Sequence, residues 1–290
     1  MIDLHAHSTA SDGTDSPQAL VGNAVANGVR TLAITDHDTT GGWEAASTAV
    51  AALRVPFTLI RGAEFSCVHF TAKGARISVH LLGYLFDPTS APLRDERARL
   101  RESRFGRGAA IVANMVKANV PITWARVVEI ADGGSVGRPH IGRALVEAGV
   151  VESVDEAFAD LLSNSSKYYV PKQDMPVLDA IRLIRLANGV PVIAHPWARK
   201  RGSILDEATL DALVGAGMLG IEVDHVDHSA EDRIRLRALA AELGVFATGS
   251  SDYHGHNKPN RLGDEVTDSR VLELIVEAAS GVEPIQSPAR

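Results

Sequence analysis

Residues 1–8 read Met1-Ile2-Asp3-Leu4-His5-Ala6-His7-Ser8, a short apolar strand that runs straight into two histidines two positions apart. In extended backbone, residues i and i+2 point the same way, so His5 and His7 can address one ion. The pattern recurs down the chain. Strand-forming runs at residues 31–34, 58–63, 78–84, 191–194, 220–223 and 245–248 are separated by helical stretches, which predicts a parallel α/β arrangement. Helices are expected at residues 17–27, opened by Ser16-Pro17 and stopped by Gly28, and at 177–188, where Val177, Ile181 and Ile184 keep helical spacing up to Gly189. Two more are expected at 207–216 and 231–243, each closed by a glycine.

Histidines and carboxylates gather at the carboxyl ends of these strands. Beyond His5 and His7, the chain places Asp12 in the glycine-marked loop Ser11-Asp12-Gly13, then Thr35-Asp36-His37-Asp38, Gly62-Ala63-Glu64, His80, Ala194-His195-Pro196 and Ser251-Asp252-Tyr253-His254-Gly255. In barrels of parallel strands that end is where active sites are built, because the loops converge on one mouth. A lone His-x-His occurs in ordinary strands, but six strand ends supplying imidazole or carboxylate is a costly arrangement for a purely structural core. The donors outnumber what one tetrahedral ion needs and point to a two- or three-metal cluster.

Composition agrees. A chain of 290 residues with 45% hydrophobic residues is long enough to bury roughly 75% of the surface its unfolded form exposes. Lysine plus arginine total 29 against 36 acidic residues, a formal charge of -7, which argues against nonspecific duplex binding through a basic surface. Eleven histidines stand beside a single cysteine, Cys67, so metal chemistry must use nitrogen and oxygen ligands. One cysteine makes no internal disulfide, and residues 1–8 have neither the basic start nor the apolar run of a signal peptide, so the expected setting is cytoplasmic. No run of 18 apolar residues predicts a membrane span, and nothing marks an obligate protein partner.

The middle breaks the rhythm. Arginines gather on a long helix expected between Arg94 and Arg107, and shorter helices follow near residues 124–131, 140–147 and 154–162. Residues 95–166 are read as a helical insertion domain covering the active site, carried by a barrel made of residues 1–94 and 167–290. The alternative is a lid or packing element without chemistry. Residues 283–290 are expected to fray.

The motifs DLHAHS, SDG, TDHD, GAEFS, HLLGY, AHP and SDYHG, in this order, resemble the polymerase and histidinol phosphatase (PHP) family within the amidohydrolase-like metal hydrolases. The resemblance implies a distorted (β/α)7 barrel, TIM-barrel-like, with a small helical insertion, two or three divalent ions of manganese, iron or zinc, and phosphoester hydrolysis. Carried over by position, His5, His7, Glu64 and Asp252 hold a first ion, Asp12, His37 and His254 a second, and His80, His195 and the shared Glu64 a third. A carboxylate has two oxygens and can serve two ions. Many members place histidine where Asp12 stands, which makes this second position richer in oxygen. Asp36 and Asp38 are read as orienters of their neighbours, and Asp3 as an orienter or a turn cap.

Gly137-Arg138-Pro139-His140, with Lys167 downstream, resembles the subgroup of phosphatases and exonucleases acting on nucleotides. It implies that Arg138, His140 and Lys167 face the cluster and clamp phosphate, which suits the forked donors of arginine and the point charge of lysine; taken alone, Arg138 also reads as a solvated loop residue. Arg199 is carried over as a further substrate contact, although it lies farther from His195-Pro196 than in relatives. Of His225 and His228, one is a substrate contact or the proton donor to the leaving oxygen, or both are solvent-facing loop residues. His69 belongs to a hairpin between the third and fourth strands with a surface role, and His256 is a bystander. The expected chemistry is metal-assisted hydrolysis, cations making water acidic enough to need no separate strong base.

The function implied is removal of the 3'-phosphate from a small 3',5'-nucleotide bisphosphate such as adenosine bisphosphate, leaving an AMP-like nucleoside 5'-monophosphate and phosphate. The alternatives are a 5'-to-3' exonuclease on short RNA or DNA ends, a histidinol-phosphate-type phosphatase, and a noncatalytic metal-binding PHP module.

Overall fold

A computed structural model of the chain describes residues 1–288. In chain order the barrel begins with β1 (Ile2–Ala6), α1 (Pro17–Ala26), β2 (Thr31–Ile34), α2 (Trp43–Ala51), β3 (Thr58–Phe70) and β4 (Arg76–Tyr84). The inserted helices α3 (Ala91–Lys117), α4 (Trp124–Ala131), α5 (Arg138–Glu147) and α6 (Val154–Ala159) follow. The barrel resumes with β5 (Met175–Pro176), α7 (Val177–Leu186), β6 (Val190–Ala194), α8 (Glu207–Gly215), β7 (Gly220–Asp224), α9 (Ala230–Glu242), β8 (Phe246–Gly249), α10 (Ser269–Ala278) and β9 (Ile285–Gln286). No helix among the described residues is long and apolar enough to cross a membrane.

The strands form one sheet in the order β1-β2-β3-β4-β6-β7-β8, with β5 and β9 as extra partners of β3. All neighbours on this path are parallel except β4, which runs antiparallel to both β3 and β6. The hairpin expected around His69 is what breaks the parallel pattern there. Only residues 71–75 connect β3 to β4, and this turn, with Gly74 at φ 78° and Gly74 N–H donating to the Thr71 carbonyl, is long enough for a hairpin alone. Reversal puts His80, the middle residue of β4, opposite Ser66 and Ala194, and so level with the carboxyl end of β6.

The ring closes between β8 and β1 through an extended loop. His7 N–H donates to the Tyr253 carbonyl at 2.8 Å, and Ala6 and Tyr253 form a parallel bridge. Asp3 is the bolt: its carboxylate accepts from the backbone N–H of Ser251 (3.0 Å) and Gly263 (2.9 Å). Leu4, Ala33, Ile60, Leu82, Tyr84 and Val192 form one apolar cluster with Ile275 of α10. A larger cluster packs α1, α2, α7, α8 and α9 against the sheet. The inserted helices have their own cluster, including Ile111, Met115, Val127, Ile141 and Leu145.

Helix ends follow their caps. Ser16 accepts from Ala19 N–H, Asp206 from Thr209 N–H and Ser229 from Asp232 N–H. The arginine-rich helix is longer than expected, α2 and α10 escaped the periodicity, and the segment after Glu283 is not frayed within the described residues. There β9 pairs with β3, and Ser287 accepts from Phe57 N–H and donates to the Val55 carbonyl.

Two glycines separate packing from propensity. A Cβ on Gly189 would lie 2.6 Å from Phe86 Cβ, whereas one on Gly22, exposed inside α1, meets nothing within 4 Å. Gly189→Ala is expected to lower unfolding stability by about 1–3 kcal/mol and Gly22→Ala to raise it by about 0.5–1 kcal/mol, as read by denaturant titration.

Candidate metal centre

The strand ends deliver their donors to one buried spot. His5 Nε2 lies 3.1 Å from His7 Nε2, 3.3 Å from Glu64 Oε2 and 3.4 Å from Asp252 Oδ1. His7 Nε2 lies 3.2 Å from Glu64 Oε2 and 3.5 Å from Asp252 Oδ1. A second group joins His7, Asp12, His37 and His254, with Asp12 Oδ1 at 3.4 Å from His254 Nε2 and Asp12 Oδ2 at 3.7 Å from His37 Nε2. A third joins His37, Glu64 and His80, whose Nδ1 is 2.6 Å from Glu64 Oε1. Within each group the donor atoms lie within 4.8 Å of one another. His195 Nε2 lies 3.1 Å from the same Glu64 Oε1 that His80 approaches, and the two ring centroids are 5.4 Å apart.

These donors fit divalent cations. Two imidazole nitrogens 3.1 Å apart, both in fully buried rings, repel unless a proton or a cation sits between them. His37 Nδ1 is buried, 3.1 Å from Glu64 Oε2, yet makes no hydrogen bond, an arrangement that costs free energy without a partner. The set is all nitrogen and oxygen, the class that suits zinc, iron and manganese.

A surrounding layer fixes the donors. Glu222, fully buried on β7, accepts from His195 backbone N–H (2.7 Å) and contacts His5 Nδ1 (2.9 Å) and the Ser250 hydroxyl, which leaves His5 Nε2 facing the centre. Asp36 holds the turn after His7, accepting from Ser8 N–H, Ser8 Oγ and Ser11 Oγ at 2.7–2.8 Å. Asp38 accepts from Ser66 N–H and Oγ, both at 2.7 Å, and from Arg104 Nε at 2.5 Å. Arg101 donates to the Asp38 carbonyl and Arg97 to Thr40 Oγ1, so one face of α3 grips the loop that carries His37. Asp38, His195 and Asp252 adopt φ of 55°, 31° and 50°, left-handed backbone that non-glycine residues adopt at a cost and that clusters at functional sites.

Burial works against charge on every member, but the carboxylates of Asp252 and Glu64 raise His7 to about 9, and Glu222, Glu64 and Asp252 hold His5 well above its ordinary value. Burial likewise opposes ionisation of Asp12 and Glu64, yet the surrounding imidazoles bring both well below the carboxylate range. His254 falls to about 4 through burial and the charges of His7 and Lys258, and burial puts His37 well below its usual range.

The residues expected to bind substrate are distributed unevenly. His140 is buried beside the Asp12 loop and accepts from Gly137 N–H at 2.9 Å through Nδ1; burial lowers its pKa against the pull of Asp12. Arg138 does not reach the cluster: its guanidinium donates to the Leu162 carbonyl (2.7 Å) and Asn164 Oδ1 (3.0 Å) and lies over Phe158. Lys167 lies over the Tyr168 ring. Arg199 is turned away, paired with Asp232 at 2.8 Å. His225 is fully buried, its Nε2 3.3 Å from Asp252 Oδ2 while its Nδ1 accepts from Asp227 N–H. His228 is excluded as a proton donor, because Nδ1 is bound to the Val223 carbonyl and Nε2 accepts from Trp197 N–H.

Sequence reasoning missed Glu222, Arg104, Lys172 and Lys258. Lys172 is 2.9 Å from Asp174 Oδ1, and burial together with Arg104 lowers it to about 8. Lys258 Nζ is 2.7 Å from Asp252 Oδ2. The acid inside the otherwise apolar run Gly220-Ile221-Glu222-Val223, and the spacing of Arg97, Arg101 and Arg104 along one helix face, were the available signals.

A model described as PHP domain matches residues 3–118. The chain is 34% identical over 262 residues to 5'-3' exoribonuclease Rnm of Salmonella typhimurium, covering 88% of this chain and 85% of that protein. The chain belongs to the PHP family. Membership makes it a metal-dependent phosphoesterase, a hydrolase of phosphoric esters. It is also 32% identical over 261 residues to 3',5'-nucleoside bisphosphate phosphatase of Chromobacterium violaceum, covering 90% and 89% of the two chains. A crystal structure from Bifidobacterium adolescentis, described as that of a metal-dependent phosphoesterase, is similar at TM-score 0.88 and 35% identity over 96% of each chain.

Coordination requires neutral imidazole, whereas His7, at about 9, is protonated in the metal-free protein at neutral pH. Metal binding at pH 7 is therefore expected to release about one proton and to tighten as pH rises toward 9. Calorimetry of manganese binding in buffers of different ionisation enthalpy reads the release; a heat independent of buffer contradicts it.

Proposed function

We propose that this PHP enzyme hydrolyses the 3'-phosphate of a small 3',5'-nucleotide bisphosphate, leaving a nucleoside 5'-monophosphate and phosphate. The observation that carries this reading is the buried donor cluster roofed by the inserted segment that holds Gly137-Arg138-Pro139-His140. A Cβ on Gly137 would come within 3.9 Å of Asp12 Oδ2 and 3.6 Å of Arg104 Nη1, so this segment and α3 close over the Asp12 side of the cluster. The relative from Chromobacterium violaceum, named for that activity, supports it. The 5'-3' exonuclease reading is kept beside it on the strength of the Salmonella relative.

In this reading His5, His7, Asp12, His37, Glu64, His80, His195, Asp252 and His254 hold two or three ions of manganese, iron or zinc. When bound, divalent cations supply Lewis-acid polarisation of the phosphoryl oxygens and a water acidic enough to ionise near neutral pH. The protein's own residues do the rest. Glu222 keeps His5 and His195 aimed, Asp38 and Arg104 hold the His37 loop, and His140 borders the Asp12 side, where a phosphate oxygen would lie. Water's oxygen joins phosphorus, the bond to the sugar oxygen breaks, and that oxygen takes a proton. Of the two histidines that follow β7, His225 is the donor the geometry retains, since its Nε2 faces the cluster, 3.3 Å from Asp252 Oδ2. Residues 95–166 form the insertion domain, a division that their separate apolar cluster supports. A cytoplasmic setting belongs to the same reading and suits the lone buried thiol of Cys67.

His225→Gln is expected to lower kcat about 10²- to 10⁴-fold on a nucleotide ester, with much less loss on an aryl phosphate whose leaving group needs no proton. Bound metal should be retained; equal loss on both esters would assign His225 to holding Asp252. Phosphate release from a panel of nucleotide monophosphates, bisphosphates and histidinol phosphate, with and without manganese, checks the substrate: release from 3',5'-bisphosphates should exceed the others, and activity in metal-stripped protein would overturn the reading.

A further inference from the structure

The loop that follows Asp252 carries a lysine back onto it. Lys258 Nζ lies 2.7 Å from Asp252 Oδ2, the carboxylate buried and the lysine side chain 28% exposed. The two oxygens of Asp252 face different neighbours. Oδ1 faces ring nitrogens of His5, His7 and His254 at 3.4–3.5 Å, whereas Oδ2 faces Lys258 and, at 3.3 Å, His225 Nε2. One oxygen therefore looks into the donor cluster and the other is held by an ammonium.

The surrounding loop keeps Lys258 in that place. Gly255 has φ 65°, and a Cβ there would collide with the Thr14 side chain, so only glycine lets the chain turn this closely. Thr14 Oγ1 then accepts from His256 N–H at 2.9 Å, and Asn257 Nδ2 donates to the Asp12 carbonyl at 2.6 Å. Beyond the lysine, Asn260 Nδ2 donates to the Ser251 carbonyl at 2.8 Å. The loop is clamped to the Asp12 turn on one side of Lys258 and to the residue before Asp252 on the other.

A carboxylate with both oxygens available can hold a divalent cation through one or through both. An ammonium on Oδ2 removes the second option. It also draws electron density from the carboxylate and repels a cation on the other oxygen, so Asp252 becomes a weaker donor. Glu222 does the reverse to His5: an anion on the far nitrogen of the ring makes the imidazole a stronger donor. An ion less fully neutralised by its ligands stays the stronger Lewis acid toward a phosphoryl oxygen.

We infer that Lys258 is a positioning residue that confines Asp252 to one-oxygen coordination through Oδ1 and loosens the hold of the centre on its cation. This rests on the reading of Asp252 as a metal ligand.

The test is calorimetric titration of manganese into the metal-stripped full chain and into folded Lys258→Met and Lys258→Arg. Lys258→Met keeps the length and removes the charge, and is expected to bind manganese about tenfold more tightly, the order of effect of one unit charge close to a partly exposed site. Lys258→Arg keeps the charge and should bind as the unsubstituted chain does. A lysine that merely braces Asp252 would give the opposite sign, because its loss would weaken binding. Crystals of the unsubstituted chain soaked in manganese should show Asp252 on the ion through Oδ1, with Lys258 still on Oδ2. Equal or weaker binding by Lys258→Met, equal tightening by Lys258→Arg, or Oδ2 on the ion in the unsubstituted chain would overturn the inference and leave the phosphoesterase reading intact. Failure of the folded, unsubstituted chain to bind manganese would instead overturn the reading beneath it.

Discussion

One buried carboxylate organises this structure. Glu64 is approached within 3.3 Å by ring nitrogens of His5, His7, His37, His80 and His195, donors that come from β1, the end of β2, β4 and the end of β6. An ionised carboxylate in such a place is tolerable only with positive charge around it. Its two oxygens take different neighbours: Oε2 faces His5, His7 and His37, and Oε1 faces His80 and His195. Glu64 is therefore placed to join adjacent cation positions, and the rest of the barrel is arranged to bring its partners there.

That demand explains features that otherwise look uneconomical. Left-handed backbone at Asp38, His195 and Asp252 turns strand ends inward at three separate points. Buried acids that donate to no ion, Asp3, Asp36, Asp38 and Glu222, are satisfied by backbone amides, hydroxyls and arginine. They convert flexible strand termini into a fixed cage. The inserted helices take part in this, because α3 reaches the His37 loop through Arg97, Arg101 and Arg104. An insertion that only covered the mouth would not need to hold the loop beneath it.

Much of this was legible in the sequence, for reasons of period and position. The alternation in Asp3-Leu4-His5-Ala6-His7 fixed a shared face, and the strand ends at Ile34, Ala194 and Gly249 marked where His37, His195 and Asp252 would emerge. The direction of β4 was legible too, because the few residues after His69 are too short for a crossover and long enough for the hairpin that residues 71–75 form. Side-chain destinations were the least readable. Arg138 and Arg199 carry the right charge for phosphate, yet partners outside the cluster, Asn164 and Asp232, take them up. Glu222 and Arg104 were hidden for a related reason: nothing local marks them, and their partners lie 27 or more residues away in the chain. His228 illustrates the same limit, since only the fold shows both its nitrogens bonded to backbone.

Glu64 is placed to link more than one cation. Anomalous diffraction at the manganese edge from crystals soaked in manganese tests this directly. At least two ordered ions are expected, with oxygens of Glu64 bound to two of them and His5, His7, His37 and His254 among the remaining ligands. A single ion that Glu64 does not touch, or no ordered ion in the cluster, would contradict it.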